Sequence, residues 1–152
     1  MSKPTILDIS QFLPYQLVSL SAQVSEDFAQ VYNQEAGLTQ AQWRVLSHVL
    51  NIEFATARQI CELANMDKST VSRAIKQLEE KGLIGLNKHP DDKRATVLQA
   101  TPSGINLYEM LTPKAKEWEQ ALLSNFSESE KVTLKTLIEK LSLSVERKAT
   151  GR

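Results

Sequence analysis

The chain has 152 residues, with 18 basic and 18 acidic side chains and a formal net charge of zero. That length supports one well-buried core with an appended arm and is short for two ordinary independent domains. With 41% hydrophobic and 24% charged residues, the composition excludes wholesale disorder, and no apolar run approaches the roughly 18 residues that a membrane span needs.

Met1-Ser2-Lys3-Pro4 lacks the apolar core of a secretory signal, so a cytoplasmic location is expected, with no membrane partner. The single cysteine, Cys61, leaves no internal disulfide and too few ligands for a zinc knuckle. It lies in an apolar helical pattern with Ile60, Leu63 and Ala64 and reads as a small buried residue. His48 and His89 have no carboxylate partner at ligand spacing, and no nucleophile–base pair or phosphate loop is recognisable. Neither an enzyme, a metal site nor a cofactor is expected.

The charge is unevenly distributed. Residues 1–67 hold three bases against seven acids, residues 68–94 seven bases against four acids, and residues 95–152 eight bases against seven acids. A modest basic patch on a neutral chain suits a specific, salt-sensitive DNA binder better than an indiscriminate nucleic-acid coat.

Taken in order, Ile6, Leu7 and Ile9 form a short apolar lead. From Gln11 to Glu35, Phe12, Leu17, Leu20, Val24, Phe28 and Val31 recur at steps of three to five, which predicts a long amphipathic helix. Pro14 fits only its first turn and Gly37 reads as its C-terminal cap. Thr39 and Gln42 have capping-box spacing ahead of Trp43, Val45, Leu46 and Val49, and Thr56 with Gln59 repeats it ahead of Ile60, Leu63 and Ala64. Two short helices follow from this, the second over Ala57 to Ala64. Asn65-Met66 makes a turn, and Asp67 is placed to cap a fourth helix by accepting from backbone donors near Ser69 or Thr70. Lys81-Gly82 ends that helix. Helices joined by so few residues pack steeply, as in a helix-turn-helix.

In the fourth helix Val71, Ile75 and Leu78 fall on one face, while Ser69, Ser72, Arg73 and Lys76 fall on another. Hydroxyls, a guanidinium and an ammonium are groups that bond phosphates and base edges. This helix is therefore expected to be a DNA recognition helix. Leu83 to Lys88 and Thr96 to Ala100 can pair as strands, and the charged loop His89 to Ala95 between them is expected to be a wing that straddles the DNA backbone. Thr101-Pro102 opens a fifth helix through Ile105, Leu111, Trp118 and Leu122, with a kink expected at Pro113. Ser127 and Glu130 box the start of a sixth with Val132, Leu137, Ile138 and Val145, beyond which Ala149 to Arg152 are expected to fray. Trp43, Trp118 and the phenylalanines read as core.

The fold class is thus mainly α with a small β-hairpin wing: a winged helix-turn-helix over residues 37–100, flanked by N- and C-terminal dimerisation helices over 1–36 and 101–152. The long terminal helices carry surplus apolar faces, and a second copy of the chain is the simplest partner. A twofold homodimer would present two recognition helices to successive major grooves of a palindromic double-stranded site.

The order of elements and several strings resemble the MarR family of bacterial transcription regulators. The strings are Leu38-Thr39 with Gln42-Trp43-Arg44-Val45-Leu46, then Lys68-Ser69-Thr70-Val71-Ser72-Arg73, then Leu78-Glu79-Glu80-Lys81-Gly82-Leu83-Ile84. Pro90-Asp91-Asp92-Lys93-Arg94-Ala95, followed by Thr101-Pro102-Ser103-Gly104, is similar to the family's wing and the start of its fifth helix. The resemblance implies that Lys68, Ser69, Thr70, Ser72, Arg73 and Lys76 belong to the major-groove helix, and that Asp92 and Arg94 are the wing's aspartate and arginine. Lys88 and Lys93 join the wing set. Leu86 and Asn87 depart from the pattern, since many members place arginine there.

The resemblance also implies a repressor responsive to a small, often phenolic or otherwise aromatic, effector bound between dimer helices and winged domain. Tyr15, Trp43, Arg44 and His48 would line that crevice if the first two helices face it, although each is equally compatible with a structural role. From composition alone, Arg73 and Lys76 also fit a solvated face paired with Glu80 or Gln77. The alternative function is a winged-helix protein-interaction module that does not bind DNA.

Overall fold

The computed structural model describes residues 4–151. A 3-10 turn, Ile9–Gln11, precedes α1 (Leu13–Ala36), α2 (Gln40–Asn51), α3 (Ala57–Ala64), α4 (Lys68–Glu80), β1 (Ile84–Lys88), β2 (Thr96–Ala100), α5 (Pro102–Leu122) and α6 (Glu128–Thr150). The expected mainly helical fold with a hairpin wing is the observed one.

Short-range chemistry sets the helix ends. Thr39, Thr56 and Ser127 each accept a backbone N–H three residues on, while Gln42, Gln59 and Glu130 return a bond to the cap's own N–H. Gly37 ends α1 in the left-handed conformation, φ 63°, and Asn65 ends α3 the same way, φ 51°. The first helix starts at Leu13, so Phe12 is its cap rather than a helical residue. At the other end α6 stays helical through Thr150, whose hydroxyl bonds back to the carbonyls of Glu146 and Arg147. Ala149 and Thr150 are thus helical; Arg152, like Met1 to Lys3, lies outside the described residues.

The chain divides into two compact units, residues 1–115 and 116–152. The boundary falls two residues past Pro113, which sits inside α5 and offers no N–H to the carbonyl of Glu109. α5 continues through it to Leu122.

In the first unit the core gathers Val45, Leu46 and Val49 from α2, Ile60 and Ala64 from α3, and Val71, Ala74, Ile75 and Leu78 from α4. Tyr32, Leu38, Leu83, Leu98 and Leu111 close around them. Two expectations fail here: Leu63 is 57% exposed, and Cys61 is half-buried at the core's edge. An eight-residue helix offers two turns, and Ile60 and Ala64 already fill the face that meets the core. Phe12 and Phe126 are exposed rather than core.

The strands pair antiparallel, Ile84 opposite Ala100 through Lys88 opposite Thr96. On the other edge of β2, Leu98 donates to the carbonyl of Ala55 at 2.8 Å. The hairpin is thereby tied to the loop ahead of α3, and the wing projects from a braced base.

Candidate nucleic-acid interface

The α4 helix begins where Asp67 takes two bonds from one residue: its Oδ1 accepts the Thr70 backbone N–H at 2.7 Å, and its Oδ2 accepts the Thr70 hydroxyl at 2.9 Å. The Thr70 bonds, chiefly the one from its backbone N–H, hold the Asp67 carboxyl below the ordinary aspartate range, with a smaller contribution from the Arg73 charge. Thr70 is half-buried with its hydroxyl proton committed to the cap, unlike its neighbours. Lys68, Ser69, Ser72, Arg73 and Lys76 are all exposed, whereas Val71, Ala74, Ile75 and Leu78 are buried. Helical geometry has sorted the side chains into a packed face and a polar, basic one. The ion pairs among the described residues lie elsewhere: Arg58–Glu62, Lys114–Glu35 and Lys131–Glu128.

The wing loop is organised by its own backbone. His89 N–H donates to Ala95 O at 2.9 Å and Ala95 N–H to Asp92 O at 3.0 Å. Asp92 Oδ1 accepts the Arg94 backbone N–H at 3.0 Å, so the aspartate fixes the loop through the arginine's main chain and leaves the guanidinium outside. His89 Nδ1 accepts the Asp91 N–H at 3.0 Å, and its ring lies 4.9 Å from that of Phe54. Lys88, Asp92, Lys93 and Arg94 are exposed. Of the two departures, Leu86 is 45% exposed and Asn87 donates to Gln99 Oε1 across the hairpin at 2.7 Å.

The four residues suggested for an effector crevice separate into two groups. Trp43 stacks between Tyr32 and Tyr108, with centroids at 5.3 and 5.1 Å, and meets Phe28 edge-on. Trp43 and Arg44 share a cavity of about 90 Å³ with Ser25, Phe28, Tyr32 and Gln40. Arg44 also borders a groove of about 540 Å³ between α1 and α2, walled by Val18, Ala22 and Ala29. Tyr15, in the first turn of α1, and His48, in the last turn of α2, line neither space. Burial pushes the Tyr32 phenol above its ordinary pKa, and the Arg44 charge partly offsets this.

Sequence reasoning missed two features. Gln42 is a buried polar residue bonded to α4, which its capping-box role concealed, and Phe54 is a support for the wing histidine. No periodicity marks either, because both contacts join residues 35 positions apart.

A helix-turn-helix with a basic exposed second helix and a braced hairpin wing defines a DNA-binding winged-helix protein. The MarR family pattern matches residues 36–95. The uncharacterized HTH-type transcriptional regulator YwoH of Bacillus subtilis is 33% identical over 95 residues, 62% of this chain and 69% of the relative. The solved MarR/EmrR family transcriptional regulator from Acinetobacter sp. ADP1 is 32% identical, with a TM-score of 0.82 over 93% of this chain and 99% of that one. The PcaV transcriptional regulator from Streptomyces coelicolor, solved with its natural ligand, shares the fold at 19% identity, with a TM-score of 0.70 over 93% of this chain and 99% of its own. The chain belongs to the MarR family and is a transcription regulator, not an enzyme.

Proposed function

We propose that the protein works in the cytoplasm as a homodimeric repressor on a palindromic operator, occupying DNA that the transcription machinery must use. The observation that carries this reading is the exposed basic face of α4 beside the exposed wing tip. In the proposed complex Ser69, Ser72, Arg73 and Lys76 face the major groove, Lys68 and Thr70 lie at the helix's entry, and Arg94 enters the adjacent minor groove, where a narrow groove strengthens the negative potential. Lys88 and Lys93 meet phosphates, and Asp92 holds the loop.

Residues 37–100 form the DNA-binding domain, and residues 1–36 and 101–152 the dimerisation region. Supporting this, Ile6, Leu7 and Val18 at the N-terminal side, and Val132, Ile138 and Val145 on α6, are all more than half exposed in the single chain. Apolar side chains left this exposed on each of these segments are costly to leave in water. A twofold dimer would set the two α4 helices about one turn of B-DNA, roughly 34 Å, apart.

A small aromatic effector would act by shifting the population between DNA-competent and incompetent spacings. The α1–α2 groove beside Arg44 and the Trp43 stack supports that class, since it sets a guanidinium beside Val18, Ala22 and Ala29, with Ser21, Ser25, Glu26 and Gln40 completing the lining. PcaV, which shares the fold, was solved with its natural ligand.

Selection of duplexes from a random pool by the full-length chain, followed by salt titration, tests the function. A palindromic consensus with half-sites one helical turn apart and binding that weakens steeply with salt are expected. Binding that ignores salt, or no enriched sequence, would sink the reading.

A further inference from the structure

Among the described residues Gln42 is the one buried polar side chain, 4% exposed. All of its polar atoms are engaged. Its Nε2 donates to Gln77 Oε1 at 2.8 Å, and its Oε1 accepts the Thr39 backbone N–H and Lys81 Nζ, each at 3.2 Å. Lys81 Nζ donates in addition to Gly37 O at 3.1 Å. Gly37 and Thr39 form the corner between α1 and α2, whereas Gln77 lies in the last turn of α4 and Lys81 is its C-terminal cap. One buried amide thus joins the α1–α2 corner to the C-terminal end of α4.

Burial of Val71, Ile75 and Leu78 selects the face of α4 that packs, and the hydrophobic driving force behind it is non-directional. Hydrogen bonds are directional, and those at Gln77 and Lys81 each specify a position of the helix end. We propose that Gln42 is a positioning residue: with Lys81 it clamps α4 to the α1–α2 corner and sets the angle at which the helix meets DNA. Lys81 is accordingly a structural cation rather than a phosphate contact, because its ammonium is turned to Gly37 and Gln42. The inference rests on the reading of α4 as the helix that enters the DNA.

The test uses the full-length chain, the operator duplex recovered by selection and a scrambled duplex of the same length. Gln42→Met should weaken operator binding by about tenfold while leaving affinity for the scrambled duplex unchanged, since the charges that attract DNA remain. Gln42→Glu should restore operator binding, because its carboxylate accepts from Thr39 and Lys81 and from a Gln77 amide turned about its last bond. Lys81→Met, at an exposed position that keeps the core intact, should match Gln42→Met, and the double variant should be no worse than either single one. Parallel losses on both duplexes, additive losses in the double variant, or wild-type operator binding by Lys81→Met would each overturn the clamp. Arg73→Ala is the control for the underlying reading: it should abolish operator preference, and if it does not, the assignment of α4 fails and the clamp with it.

Discussion

Gly104 lies so close to Leu83 that a β-carbon at residue 104 would overlap the Leu83 carbonyl oxygen. The same carbonyl accepts the Thr101 N–H at 3.0 Å, while the Thr101 hydroxyl donates to Gly82 O at 2.6 Å and accepts the Gly104 N–H at 3.1 Å. The turn after α4 and the first turn of α5 are latched together by these groups. Gly104→Ala must push the two apart, which is an overpacking cost of about 1–3 kcal/mol. A fall in Tm of roughly 3–10 °C is expected by calorimetry; an unchanged Tm would show that the latch gives without cost.

The Asp67 cap makes part of the stability depend on pH. Its carboxyl is held below the ordinary value because Thr70 donates to it twice and Arg73 is near. The folded pKa lies below the unfolded one, so the contribution is complete above about 3.9 and is lost as pH falls through the lowered folded value. Asp67→Asn keeps an acceptor and removes the titration. Denaturant melts should show the wild-type advantage over this variant shrinking as pH falls below about 4, whereas a gap constant or widening toward acid would contradict the cap's role.

At the wing, Asp92 secures the loop through the Arg94 main chain and leaves the guanidinium free to reach out. Arg94→Ala should weaken operator binding about tenfold and lower the salt slope by roughly one, with the dimer unchanged in light scattering. Asp92→Ala should weaken binding by loosening the loop, without lowering the salt slope. Loss of dimer and DNA binding together in Arg94→Ala would mean that the wing has been misplaced.

The apolar faces of α1 and α6 give a test of assembly. Leu20 and Val132 are 57% and 65% exposed in the single chain, so a charge at either position leaves the fold of one copy undisturbed. Leu20→Glu or Val132→Glu should give monomers by sedimentation, with unchanged far-ultraviolet dichroism and an operator affinity at least tenfold weaker, since a single module grips DNA poorly. A variant that stays dimeric would place the interface on another face.

Local chemistry accounts for the elements that were legible in the sequence. Caps such as Thr39–Gln42, Asp67–Thr70 and Ser127–Glu130 act over three residues, and the left-handed stops at Gly37 and Asn65 need only their own backbone, so the chain fixes these boundaries wherever it goes. Helical periodicity likewise separates Arg73 and Lys76 from Val71 and Leu78, which is why the candidate face of α4 could be read in advance.

Tertiary structure decided what periodicity cannot express: which of two chemically similar residues has a neighbour. Leu63 continues the apolar pattern of α3 and is exposed, whereas Gln42, a polar capping residue, is buried because Gln77 and Lys81 arrive from 35 and 39 positions away to satisfy it. His89 became part of the wing's support through Phe54, and Trp43 and Arg44 were brought to one cavity without Tyr15 or His48. Burial and hydrogen bonding between distant segments depend on where the backbone returns, and that is settled only when the helices pack.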